Sequence, residues 1–168
     1  MSWRLCYLAL AALTLRAAGP LPRFEDYPAT ANFHGKPAVP KLKNVSDRMF
    51  RTQIGRVAAS GPNFAGSLTI AAWGCGAACL SIAVIDAKSG ALWKAPFRVL
   101  AGGFSKYADG SKTTDSDFRR LVYHRDSRLL IARGCPEEDN CGEYFYEWTG
   151  SEVRLLRQDP ATPLESKP

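Results

Sequence analysis

From residue 67 to residue 156 the apolar residues fall on every second position in a series of short runs. That two-residue period constrains the fold more than any other feature of the chain, because it places one face of an extended strand in a core. Leu68, Ile70 and Ala72 alternate with Ser67, Thr69 and Ala71, and Leu80, Ile82 and Val84 alternate with Ser81, Ala83 and Ile85. These runs predict two strands separated by a turn at Gly74-Cys75-Gly76. Asp86-Ala87-Lys88-Ser89-Gly90 reads as the next turn, with a returning strand through Leu92 and Trp93 and a short one over residues 97–101. A polar stretch, residues 102–116, reads as a long loop. Four more strands are predicted over residues 118–123, 128–133, 143–148 and 152–156, the last two joined by a hairpin across Thr149-Gly150-Ser151.

One helix precedes this block. Ser46 reads as its N-cap and Asp47 opposes the helix dipole, while Phe50, Ile54 and Val57 recur at helical spacing and Gly61-Pro62 ends it. Before the helix stand five prolines (Pro20, Pro22, Pro28, Pro37 and Pro40), which predict an extended arm laid on the domain, anchored by Phe24, Tyr27 and Phe33. The expected fold is therefore mainly β (α+β): an antiparallel sheet or sandwich of seven or eight strands with one N-terminal helix against it. The organisation expected is a leader over residues 1–19, the arm over 20–44, one globular domain over 45–157 and a flexible tail over 158–168. A chain of 168 residues suits one core.

The leader reading rests on Arg4, the apolar run from Leu5 to Leu15 and the small residues Ala17, Ala18 and Gly19, the layout of a secretory signal peptide. The run is far shorter than the ~20 residues that span a bilayer. Periplasmic or secreted localisation is expected, with no integral membrane segment after signal removal. Cys6 leaves with the leader, so four cysteines remain: Cys75, Cys79, Cys135 and Cys141. An even number on an exported chain reads as two disulfides, for which three pairings exist. Pairing within each close couple closes short loops worth about 2 kcal/mol each, against about 4 kcal/mol for a long crossed loop. Neighbours in sequence nevertheless meet first during oxidation, which favours the local pairing.

Lysine and arginine number 22 against 16 acids, and removing Arg4 and Arg16 leaves 20 against 16. No basic run exceeds Arg119-Arg120 and no aromatics interleave with one, so nucleic acid is not an expected partner.

The stretch Gly61-Pro62-Asn63-Phe64-Ala65-Gly66, followed by Trp73-Gly74-Cys75-Gly76 and Cys79, resembles a set of exported bacterial proteins of unknown function. The resemblance covers most of the mature chain and implies its address and its fold. It brings no activity with it.

Gly74-Cys75-Gly76-Ala77-Ala78-Cys79 lacks the third glycine and the following helix that a pyrophosphate site needs, and its cysteines lack the spacing and helix of a redox pair. A structural disulfide pinning a turn, with Gly74 and Gly76 admitting unusual backbone angles, is the reading that remains. Zinc on the four cysteines fails on spacing and on the oxidising compartment, so neither metal nor cofactor is expected. His124-Arg125-Asp126 is a chance fragment of a kinase loop, and no Gly-x-Ser-x-Gly elbow exists. Glu137-Glu138-Asp139, between Cys135 and Cys141, forms a compact acidic loop: either a solvated hairpin tip or a recognition surface. Asp109, Asp115 and Asp117 pose the same choice. Tyr144, Tyr146 and Trp148 share one strand face, as core or as recognition anchors. Two functions of different class follow. One is a non-enzymatic binding protein of the cell envelope, of inhibitor or immunity type, meeting a protein partner through Glu137, Glu138, Asp139, Tyr144, Tyr146 and Trp148. The other is a small envelope hydrolase using His124 or loop carboxylates.

Overall fold

The computed structural model describes residues 19–102, 104–106 and 120–163. Its strands are β1 (Leu68–Gly76), β2 (Cys79–Asp86), β3 (Leu92–Trp93), β4 (Val99–Ala101), β5 (Phe104–Lys106), β6 (Leu121–Tyr123), β7 (Leu129–Pro136), β8 (Gly142–Trp148), β9 (Val153–Pro160) and β10 (Thr162–Pro163). Eight of them form one antiparallel sheet in the order β1-β2-β4-β7-β8-β9, with β3 beside β2 and β6 beside β7; β5 and β10 pair with each other.

The short β4 joins two long hairpins. Leu80, Leu100 and Pro136 stand in one row across β2, β4 and β7, and Cys79, Ala101 and Cys135 stand in the next. Beyond that row β3 continues along β2 and β6 along β7, so the sheet bends and its two halves share a core as the leaves of a sandwich do. Leu68, Ile70, Leu80, Ile82 and Val84 from one half meet Leu130, Ala132, Tyr144, Tyr146 and Trp148 from the other, around Phe64, Phe97 and Leu100. Ring contacts cross the gap: Trp93 to Trp148 at 5.2 Å and Phe97 to Tyr146 at 6.3 Å between centroids.

The two outer faces are covered differently. Ile54 and Ala58 pack on Ala71, Ala83 and Ile85 of the β1–β2 half, while Phe24 and Tyr27 of the arm pack on Leu129, Ile131 and Phe145 of the β7–β8 half. Coverage on both faces is why β8 is buried along its whole length.

Where one helix is expected, there are two short ones, α1 (Val45–Met49) and α2 (Arg51–Ala59), parted at Phe50, whose φ of −100° and ψ of 17° leave the helical basin. The bend sets Phe50 against Trp73, 4.9 Å between rings. Asn44, not Ser46, is the N-cap: its side chain accepts the Asp47 N–H at 2.7 Å, and the Asp47 carboxylate accepts the Asn44 N–H in return, a reciprocal box that a serine two residues later cannot make.

Four further expectations are corrected. β1 continues through Gly74-Cys75-Gly76, so the turn is Ala77-Ala78, and a register shift between Gly74 and Gly76 marks Cys75 as a bulge. The expected loop from residue 102 contains β5. Residues 158–163 extend β9 and form β10, so the first part of the expected tail is strand. The arm carries one 3-10 turn, Phe24–Asp26, where an extended run is expected, and is held by backbone bonds: N–H groups of Ala29, Phe33, Ala38 and Lys41 donate to the carbonyls of Asp126, Gly66, Ala87 and Gly90. Residues 1–18 lie outside the described residues. Among those described, no helix is long and apolar enough to cross a membrane.

Candidate functional site

Helix α2 covers the Ala71–Ala83 row of the outer sheet face and then stops. The next row toward β4, Trp73–Ser81–Val99, forms the floor of a groove of about 820 Å³. One wall is the start of α1, with Lys43, Asp47 and Phe50; the other is the segment from Leu92 through Trp93 and Pro96 to Arg98. The geometry follows from lengths: a nine-residue helix against strands of nine and eight residues leaves the far rows bare.

The floor row is apolar apart from Ser81. The indole N–H of Trp73 is buried with no acceptor among the described residues. Lys43 and Lys94 stand exposed at the rim and make no ion pair among the described residues, whereas Arg98 is joined to Glu137. Such an arrangement suits an apolar segment that carries carbonyl or carboxylate oxygens. Of these residues only Glu137 is a candidate contact in the sequence. A signal was present, since Trp73 shares parity with Ala71 and therefore lies on the face opposite Leu68 and Ile70.

The residues expected from sequence are placed as follows. Cys75 bonds to Cys79 and Cys135 to Cys141, the local pairing. Gly76 has φ 144°, as a turn-forming glycine should, while Gly74 lies in regular strand. Glu137, Glu138 and Asp139 form an exposed tip closed by the second bridge, with Glu137 at φ 52° and Glu138 at φ 66°. Tyr144, Tyr146 and Trp148 are only 6%, 5% and 7% exposed, so they are core and offer no contact surface. Alternation assigned them correctly to one face, but that face is the one the bent sheet closes upon. The tip and the aromatic strand meet through the Tyr144 hydroxyl, which donates to the Asn140 carbonyl, while the rings themselves are buried. Only Glu137 of the six touches the groove.

For hydrolysis, His124 is exposed and stacked on Phe24 at 4.1 Å, and His34 lies exposed in the arm. Asp109, Asp115 and Asp117 lie outside the described residues. Burial pushes the hydroxyls of Tyr123, Tyr144 and Tyr146 above the ordinary phenol range, Asp139 adding to the effect at Tyr144 and Tyr144 to that at Tyr146. Glu143 and Asp159 are cross-strand neighbours; each takes an arginine on one oxygen and keeps the other buried without a partner. Among the described residues no group of three or more His, Cys, Asp or Glu comes together to hold a metal ion.

The Glu137 carboxylate accepts the Arg98 backbone N–H at 2.7 Å and its guanidinium at 3.3 Å. These contacts, the backbone bond first, hold its pKa below the usual carboxylate value. A lowered folded-state pKa stabilises the fold above the unfolded value and loses that contribution as pH falls through the folded one. Because the pair is exposed, Glu137→Gln is expected to cost only about 0.5 kcal/mol at pH ~6, and the gap from wild type should close at pH ~2.5. Thermal melts of both proteins across that range check it.

Comparison with family models, with curated proteins and with solved structures finds no match in any of the three.

Proposed function

We propose that the protein is a non-enzymatic binding protein of an oxidising, extracytoplasmic compartment, periplasmic or secreted, acting on a protein partner in the manner of an inhibitor or immunity protein. The groove between α1 and the β3–β4 segment is its binding site. One observation carries this reading: the buried, acceptor-less indole N–H of Trp73 beneath an apolar groove. An unmet buried donor costs about 1–3 kcal/mol, which an oxygen supplied by a partner restores once the indole edge turns into the groove. The two disulfides support the compartment, since such bridges persist where thiols are not kept reduced. They also hold rigid the hairpin tips beside the groove, and preorganised edges lower the ordering cost of association.

Trp73→Phe separates binding from folding. It removes a donor that has no partner in the free protein, so stability should change by no more than about 1 kcal/mol, while affinity for a partner captured from envelope extract should fall about tenfold. Denaturant melts and capture with the bridges intact measure the two. Retention unaffected by the substitution would overturn the groove as the binding site, and no partner retained while a broad hydrolase screen is positive would overturn the reading in favour of a small envelope hydrolase.

A further inference from the structure

The positive charge of the protein is unevenly held. In the β7–β9 half Arg128, Arg133, Arg154 and Arg157 each meet a carboxylate of Glu143, Glu147 or Asp159. Residues 36–56, the end of the arm and the helices on the other half, carry six basic side chains and one acid, Asp47. Among the described residues none of those six makes an ion pair, and the Asp47 carboxylate is taken up by the N–H groups of Lys43 and Asn44.

The same segment leaves large aliphatic side chains in water. Val45 and Met49, one helical turn apart on α1, are 74% and 69% exposed, and Val39 in the arm is 84% exposed. Lys41, Lys43, Arg48 and Arg51 interleave with them in sequence. Three such residues left bare within eleven positions, among cations, mark an interaction surface rather than ordinary surface scatter. A helix flank is convex and offers no pocket for a partner's side chain. A fluid interface needs none: it admits separate apolar side chains while its phosphates meet the bases around them.

We propose that this face docks on an anionic phospholipid surface, Val45 and Met49 entering the headgroup boundary and Lys41, Lys43, Arg48 and Arg51 meeting lipid phosphates. The face shares Lys43 with the rim of the Trp73 groove, but Val45, Met49, Arg48 and Arg51 lie outside that groove, so the two readings are tested by different substitutions.

Sedimentation with vesicles tests the idea, using the purified protein with its disulfides formed. Binding to mixed phosphatidylglycerol–phosphatidylcholine vesicles should be at least about tenfold tighter than to phosphatidylcholine alone, and should weaken as salt is raised. Val45→Ser with Met49→Ser should weaken it about tenfold at unchanged charge, and Arg48→Gln with Arg51→Gln by a similar factor. These side chains are exposed, so wild-type melting confirms that each variant is folded; Trp73→Phe should bind vesicles like wild type. Equal binding to both vesicle types, or binding unchanged by Val45→Ser with Met49→Ser, overturns the proposal. Displacement from vesicles by soluble polyglutamate at matched charge would instead assign the face to an acidic protein.

Discussion

Gly66→Ala is expected to cost about 3 kcal/mol or more and to release the N-terminal arm from the sheet. Gly66 sits at φ +77°, where an added Cβ would lie 2.0 Å from the carbonyl oxygen of Ala31 and 2.9 Å from its carbon. Left-handed backbone alone costs an alanine roughly 1–2 kcal/mol. The clash adds to that, and because it is with main chain no rotamer change relieves it. The arm must lift instead. Doing so breaks the Phe33 N–H bond to the Gly66 carbonyl, 2.8 Å, and the Arg125 guanidinium bond to the Phe33 carbonyl, 2.9 Å. Gly55→Ala is the control, for nothing lies within 4 Å of its Cβ position in α2, and it should stabilise by up to about 1 kcal/mol. Denaturant melts give the magnitudes, and limited proteolysis at Arg23 and Lys36 reports whether the arm has lifted. A Gly66→Ala protein as stable and as protected as wild type would mean that the arm is not held at this point.

That glycine belongs to the stretch Gly61-Pro62-Asn63-Phe64-Ala65-Gly66, whose role the sequence alone does not explain. In the structure Asn63 bonds both the N–H and the carbonyl of Ile70 through its side chain, occupying the outer edge of β1. Phe64 is wholly buried between the sheet halves, and Ala65 and Gly66 donate to the carbonyls of Ser127 and Arg125. The motif ties arm, β1 edge and β6–β7 turn together, so its residues are explained by structure without invoking catalysis.

Legibility elsewhere followed the physics of each signal. Alternation located β1, β2, β7 and β8 because one side of each meets the common core. It could not say that Tyr144, Tyr146 and Trp148 face inward, since period alone does not tell which face closes. Ala83 and Ile85 weakened the pattern on β2 for the opposite reason: α2 buries the other face as well. The cap was misplaced by two residues because Asn44 and Ser46 are both good caps, and only the reciprocal bond from Asp47 decides between them. The groove was illegible because it is made by where a helix stops, a property of packing and not of any one residue. The unpaired cations of α1 and α2 were countable in the sequence, yet their lack of carboxylate partners appears only when the acids of β8 and β9 are seen to be spent on other arginines.

Glu147 is where those acids matter most. Its side chain is 11% exposed and lies between Arg128 and Arg154, accepting from Arg128 through one oxygen and from Arg154 at 2.9 Å through the other. Arg128 also reaches the carbonyls of Pro28 in the arm and Trp148 in β8, so one cluster joins the arm and the turn before β7 to β8 and β9. Glu147→Leu should cost about 3 kcal/mol, chiefly by leaving Arg128 unneutralised where water is scarce. Glu147→Gln keeps an acceptor and should cost about 1–2 kcal/mol. The two arginines are not equivalent: Arg154 is 58% exposed and recovers hydration when its partner goes, whereas Arg128 is 22% exposed and does not. Double-mutant cycles should therefore give a coupling of about 2 kcal/mol between Glu147 and Arg128 and well under about 1 kcal/mol between Glu147 and Arg154. Equal couplings would show that solvent reaches both pairs alike, and that the arm is held on this half of the sheet by Phe24 and Tyr27 and not by charge.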